Sequence, residues 1–344
     1  MSLVPHLHRV AGREHLSPEQ AQEAMETVLS GGASEAQIAA FLVALRMKGE
    51  TVDELVGFAR AMRRMAAPVR EHLGEAGKNE PLLDTCGTGG DSAGTFNIST
   101  IAAFVVAGAG VRVAKHGNRS ISSRCGSADL LEYLGIPVAI PVERAAAAIR
   151  DIGIGFLFAP AMHTAMKHAH AVRTELKMRT VFNLLGPLTN PAGANTQLAG
   201  APSADAAELI AQALAALDLT RGFVVHGSDG LDEITTTGPT IAFEIRDGSV
   251  RRHFWRPEDF GVPVAAAAAL QGGDAATNAA ITREVLSGCA GPRRDIVLVN
   301  VSAALVAAGK AETFREAMRL AAESIDRGAA MSKLKALAEF SSAV

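Results

Sequence analysis

Polar residues punctuate the first 66 positions into helices. Ser17-Pro-Glu-Gln20, Ser34-Glu-Ala-Gln37 and Thr51-Val-Asp-Glu54 each place a hydroxyl three residues ahead of Gln or Glu, the spacing of a capping box. Pro18 falls at the first helical position, where its missing N–H costs nothing. Gly31 and Gly32 are placed to end the first of these helices and Gly49 the second. The polar, Gly-containing segment 71–80 reads as a linker. From Pro81 the pattern changes to short apolar runs alternating with helical stretches such as Ser203–Leu217. The strand candidates are Leu82–Thr85, Val111–Ala114, Pro137–Ile140, Phe156–Ala159, Thr196–Ala199 and Gly222–His226. Ile241–Ile245 and Val250–Trp255 flank Asp247-Gly248, a hairpin signal. Helices are predicted again from Asp274 to Ser287 and from Glu312 onward. The expected fold class is α/β: a large domain (81–344) with a mostly parallel central sheet flanked by helices. A small all-helical domain (1–70) joins it, completed by mid-chain helices near 165–185.

At 344 residues, 48% hydrophobic and 20% charged, the chain has the composition of a soluble globular protein of two domains or one large one. A net charge of −3 gives no global basic field to attract nucleic acid. The apolar stretch Ile101–Val113 is too short for a bilayer and is broken by Gly108 and Gly110. Cys86, Cys125 and Cys289 have neither disulfide nor zinc spacing, and the N-terminus has no signal-peptide pattern. These features predict a cytoplasmic protein without a membrane partner.

Four segments carry candidate chemistry. Asp84-Thr-Cys-Gly-Thr-Gly-Gly-Asp91 follows a strand, and Asn97-Ile-Ser-Thr100 opens an apolar helix. Glycines there let N–H groups converge on an anion, and the helix start offers further donors. Taken alone, the segment is equally a tight turn and a helix cap. Lys115-His-Gly-Asn-Arg-Ser-Ile-Ser-Ser123 follows the next strand and supplies a point charge in Lys115 and a guanidinium fork in Arg119. A solvated basic loop is the plain alternative. Yet two phosphate-competent loops at the carboxyl ends of consecutive strands share one crevice in an open α/β sheet. Ser127 starts a further helix facing the same place, with Asp129 as its dipole partner. Asp232-Glu233 can hold Mg2+, which prefers few carboxylates plus phosphate and water, or can form an exposed acidic turn. Finally, His163 follows Phe156-Leu-Phe-Ala-Pro-Ala-Met162, and Arg173 lies ten residues on, suited to clamping a carboxylate or to pairing on the surface.

The ordered set DTCGTGGD, NIST, KHGNRSISS, GSADLLEYLG, FLFAPAMH, TVFNLLGPLTNP and HGSDGLDEITTTGP, over about 84–239, resembles anthranilate phosphoribosyltransferase. The resemblance implies a nucleoside-phosphorylase-like phosphoribosyltransferase fold and a homodimer formed through the helical domain. It implies transfer of phosphoribose from 5-phospho-α-D-ribose 1-diphosphate to anthranilate, a step of tryptophan biosynthesis. Carried over by motif, Gly87, Gly90, Asp91, Thr95, Asn97, Ile98, Ser99 and Thr100 bind the donor. Lys115, His116, Gly117, Asn118, Arg119, Ser120, Ile121, Ser122, Ser123 and Ser127 complete its cradle. Gly87, Asn118, His163 and Arg173 face anthranilate, and Ser99, Asp232 and Glu233 are the positions for two Mg2+ per subunit. The alternatives on the same fold are a pyrimidine nucleoside phosphorylase-like enzyme and a non-catalytic nucleic-acid-binding paralogue.

Overall fold

A computed structural model describes residues 2–78, 80–89, 93–120 and 124–342. Four helices open the chain: α1 (Val4–Ala11), α2 (Pro18–Leu29), α3 (Glu35–Lys48) and α4 (Val52–Arg64). All three capping boxes form as the spacing predicts. The third has a second use. Glu54 also accepts the Leu16 N–H at 3.0 Å and pairs with Lys48 at 2.9 Å, with both side chains buried. A removed partner there would strand a buried charge, so the pair locks the ends of three helices together. Helix α1 is absent from the sequence expectations because Leu3 precedes it and no side chain caps it.

The sheet has seven strands in the order β3-β2-β1-β4-β5-β6-β7. They are β1 (Leu82–Asp84), β2 (Arg112–Gly117), β3 (Ile154–Phe158), β4 (Thr196–Gly200), β5 (Arg221–Gly227), β6 (Thr240–Arg246) and β7 (Ser249–Trp255). The first five are parallel. The last two form the predicted hairpin, β6 antiparallel to β5 and β7 antiparallel to β6. Asp247 and Gly248 take φ of 50° and 73°, the left-handed pair that a two-residue turn of this hand requires. Pro137–Ile140 is not a strand. It is an irregular segment whose Pro137 has no N–H to give a ladder and which Pro141 closes; Val138 simply fills the core. Strand β2 also runs three residues further than expected, so Lys115, His116 and Gly117 belong to the sheet and not to a loop.

Helices cover both faces. One face carries α5 (Ile98–Gly108) and α6 (Ser127–Tyr133), which pack in the same core as the C-terminal helices. The opposite face shares a core with α1–α4 and with helix 204–216. Neighbouring residues of one strand go to opposite cores, as Phe223 and Val224 do. The C-terminal group includes helix Pro292–Ala307, missed in the sequence because it is buried on nearly every side and so has no apolar stripe. Strand order reverses between β1 and β4, and the crevice at the carboxyl ends of strands flanking such a reversal is where open α/β sheets bind ligands.

Candidate active site at the sheet reversal

Asp84 ends β1 and is wholly buried. It accepts the His116 N–H at 3.1 Å and the Asn190 side-chain amide at 2.7 Å. Burial pushes its carboxyl up to about 6, against the pull of the Lys115 ammonium and these donors. Lys115 is itself 4% exposed and reaches Thr85 Oγ1 at 3.1 Å, the Thr85 carbonyl at 3.3 Å and Ser99 Oγ at 3.4 Å. It thereby fastens β2 to the root of the glycine-rich loop and to the first turn of α5. Asp84, Cys86 and His116 offer ligand atoms within 4.8 Å of one another, but Lys115 supplies the positive charge at this spot.

The loop docks on the acidic pair. Gly89 N–H donates to Asp232 Oδ2 at 2.8 Å across 143 residues, and Thr88 N–H donates to the Gly200 carbonyl at 2.9 Å. Gly200, the last residue of β4, makes this approach possible: a Cβ there would lie 1.5 Å from the Asp232 carbonyl oxygen. Asn300, on the buried C-terminal helix, holds the acidic segment from behind. Its side chain accepts the Ile234 N–H and donates to the Ile234 carbonyl, each at 2.9 Å. Asp232 and Glu233 are both partly exposed.

The basic loop folds on itself. Ser127 Oγ and the Ala128 N–H both bond the Asn118 carbonyl, and Asp129 accepts from the Gly126 and Ser120 N–H groups. Gly117 has no room for a side chain, since Ser127 Oγ lies 2.4 Å from where its Cβ would be. Arg119 is held by Glu132 through two 2.7 Å bonds and by Asp129 at 3.0 Å, above the Phe158 ring. These carboxylates raise its pKa and tie the fork to helix α6. Several expected donors are likewise committed. Asn97 bonds the Cys125 carbonyl and Asn278, Ile98 and Thr100 are buried in α5, and Thr95 bridges to Gln271. Gly90, Asp91, Ile121, Ser122 and Ser123 lie outside the described residues.

On the other side of β2, the His116 ring packs against His163 with centroids 5.2 Å apart. Sequence reasoning assigned His116 to the donor cradle and His163 to the anthranilate side, and the fold sets the two rings side by side. Burial holds both neutral, at about 3 for His116 and about 4 for His163. His116 Nδ1 lies 3.3 Å from the Gly186 carbonyl, and both Nε2 atoms are buried without a partner. A narrow cavity opens at His163 between Leu29, Met62, Met65, Ala165 and Met166, where the N-terminal helices meet the sheet unit. Arg173, on the helix 167–176, is half-buried above the Phe182 ring at 5.1 Å and has no ion-pair partner among the described residues. Burial lowers its pKa, yet a guanidinium stays charged, so the group is suited to an incoming carboxylate.

Asn190, Gly200, Asn300 and Arg179, the last of which donates to the Gly89 carbonyl at 3.2 Å, escaped sequence reasoning. Asn190 stands inside a recognised motif; the other three have no local signal, because their partners lie across the fold.

Residues 4–66 match the family model described as the helical bundle domain of a glycosyl transferase family, and residues 79–331 match its a/b domain. The anthranilate phosphoribosyltransferase of Solibacter usitatus is 69% identical over 340 residues, 99% of each chain. That of Moorella thermoacetica is 55% identical over 331 residues, 96% of each. The crystal structure of the Thermus thermophilus enzyme superposes with a TM-score of 0.92 at 43% identity, covering all of both chains. The Saccharomyces cerevisiae enzyme, solved in complex with PRPP and Mg, superposes with a TM-score of 0.88 at 27% identity over 99% of this chain and 98% of that one. With both of its parts matched and relatives alike over nearly its full length, the chain belongs to the anthranilate phosphoribosyltransferase family.

Proposed function

We propose that this protein transfers the 5-phosphoribosyl group from 5-phospho-α-D-ribose 1-diphosphate to the amine of anthranilate. The products are N-(5-phosphoribosyl)anthranilate and pyrophosphate, in tryptophan biosynthesis. Beyond family membership, one observation carries the reading: the glycine-rich loop and the Asp232-Glu233 pair meet at 2.8 Å beside the sheet reversal. Neither the nucleoside phosphorylase nor the nucleic-acid paralogue is favoured by relatives that carry the anthranilate name over almost the whole chain.

Ser99, Asp232 and Glu233 offer only oxygen ligands, which suits Mg2+. Their positions, at the helix start and at the acidic turn on either side of the loop, suit a metal completed by the donor's own phosphates. Bound there, Mg2+ neutralises charge on the leaving pyrophosphate. We read two such ions per subunit. The remaining work falls to positioning and fixed charge. The C–O bond to pyrophosphate breaks at the anomeric carbon, the C–N bond forms, and the amine then loses a proton to solvent. Anthranilate's amine is neutral at pH 7, so no protein base is required. Arg173 receives the acceptor carboxylate. Neutral His163 and His116 border it without adding positive charge next to the electron-poor ribose. Lys115 supports the loop from beneath, and Gly87, Gly90, Asp91, Asn118 and Ser120–Ser123 line the donor.

Among the described residues no helix is long and apolar enough to cross a membrane. We read a cytoplasmic homodimer with no nucleic-acid partner. Its helical domain comprises 1–70 with the helices near 165–185, and its α/β domain 81–344. The deciding assay is loss of anthranilate fluorescence that requires both the donor and Mg2+. The double variant Asp232→Asn/Glu233→Gln is expected to abolish that turnover while keeping a wild-type circular dichroism spectrum. Turnover retained by the double variant would remove both carboxylates from the metal site.

A further inference from the structure

The backbone of Gly89 is held at both its N–H and its carbonyl. Its N–H goes to Asp232 Oδ2 at 2.8 Å, and its carbonyl accepts from Arg179 Nη2 at 3.2 Å. Gly89 sits at φ +65°, in the left-handed region, so these bonds hold one particular shape of the loop. Arg179 reaches it from the link that follows helix 167–176. That helix ends on Lys177 at φ +46°, an uncommon conformation for a non-glycine residue. The link is anchored at once: the Thr180 N–H bonds Asn183 Oδ1 at 2.9 Å, and Val181 and Phe182 are buried. On the ring of that same Phe182 lies Arg173, 5.1 Å away, the residue read above as the receiver of the acceptor carboxylate. A short, anchored stretch therefore touches the donor loop at one end and the acceptor arginine at the other.

We propose that Arg179 is a positioning residue that couples donor binding to acceptor binding, transmitting the shape of the glycine-rich loop to Arg173 through the 179–182 segment and Phe182. The proposal rests on the phosphoribosyltransferase reading. A donor pyrophosphate that fixes the Gly89 backbone fixes the partner of Arg179. The segment that carries Phe182 then has fewer arrangements left to it, and Arg173 is presented to anthranilate at lower cost. Linkage is reciprocal, so anthranilate must tighten pyrophosphate binding by the same factor. A bond from a guanidinium to an exposed carbonyl supports a coupling of about three- to tenfold.

The test is equilibrium binding of anthranilate, followed by its own fluorescence, with and without saturating Mg2+-pyrophosphate. In the wild-type protein pyrophosphate is expected to tighten anthranilate about three- to tenfold. In Arg179→Ala that ratio is expected to fall to near one, with anthranilate affinity in the absence of pyrophosphate little changed. Arg179→Lys keeps a donor near Gly89 and is expected to restore part of the ratio. A merely structural role would lower both affinities together and leave their ratio alone. An unchanged ratio in Arg179→Ala, or no coupling in the wild type, overturns the proposal. Should Arg179→Ala fail to fold, the Lys variant decides alone: a wild-type ratio, whatever the two affinities do, overturns the proposal, and a ratio below that of the wild type supports it. A wild-type protein that consumes no anthranilate with donor and Mg2+ overturns the function itself, which is a distinct result.

Discussion

Gly200→Ala tests how closely the acidic pair must sit against the sheet. The added methyl would lie 1.5 Å from the Asp232 carbonyl oxygen, 2.4 Å from its carbon and 2.9 Å from the Asp232 Cβ. Ordinary contact begins at about 3.4 Å, so the Asp232 backbone must retreat by roughly 2 Å. Two bonds from Asn300 to Ile234, both at 2.9 Å, oppose that movement. A retreat of this size stretches the 2.8 Å Gly89–Asp232 bond beyond hydrogen-bonding range and carries both carboxylates off the loop. Overpacking costs about 1–3 kcal/mol and the lost hydrogen bond about 1 kcal/mol. Together these amount to a fall in melting temperature of about 3–6 °C for a chain of this size. The effect on catalysis is larger, because displacing a catalytic group by about 1 Å can cost a hundredfold. The assay is kcat/KM from anthranilate fluorescence over a Mg2+ titration, paired with thermal unfolding. The expected result is a folded protein with kcat/KM down about a hundredfold and a raised Mg2+ requirement. Near-wild-type kcat/KM at the same Mg2+ concentration would refute the reasoning.

Arg173→Ala is expected to raise the KM for anthranilate about ten- to a hundredfold, the worth of a charge-assisted contact, with donor KM nearly intact; an equal rise for the donor would count against its role. Because burial depresses both histidines, the unfolded chain takes up their protons first. His116 and His163 therefore contribute stability in full above pH 6.5, and it is lost as pH falls toward about 4 and 3. Asp84 has the opposite sign: its raised pKa contributes stability at acid pH that is lost as pH rises through about 6. Two histidines outweigh one carboxyl, so the melting temperature should drop between pH 6.5 and 4. His163→Phe should flatten that drop, and parallel curves would exclude the histidine as its source. Burial pushes the Cys86 thiol up strongly and Cys125 up to about 11, whereas Cys289 is exposed. A chromogenic disulfide reagent at pH 8 should therefore modify Cys289 promptly and the other two far more slowly. Cys86 is only partly buried, and prompt reaction there would contradict its raised thiol pKa.

What the chain states locally, it states well. The boxes at Ser17, Ser34 and Thr51 and the turn at Asp247-Gly248 depend on groups within a few residues of one another, so spacing alone determines them. The motif order likewise led to the family before any coordinate did. Where local pattern failed, packing had removed it. Helix 292–307 is packed in protein over most of its surface and needs no polar face, and in Pro137–Ile140 only Val138 enters the core, with no ladder joined. The site divides along the same line. Sequence picked out the glycines, the lysine and the acidic pair by residue type. Only the tertiary structure decided that Arg119 turns to Glu132, that His116 faces His163, and that Asp232 and Arg179 hold the N–H and the carbonyl of one glycine. Those choices belong to strand order and helix packing, which bring together groups up to 143 residues apart and make each partner a property of the fold.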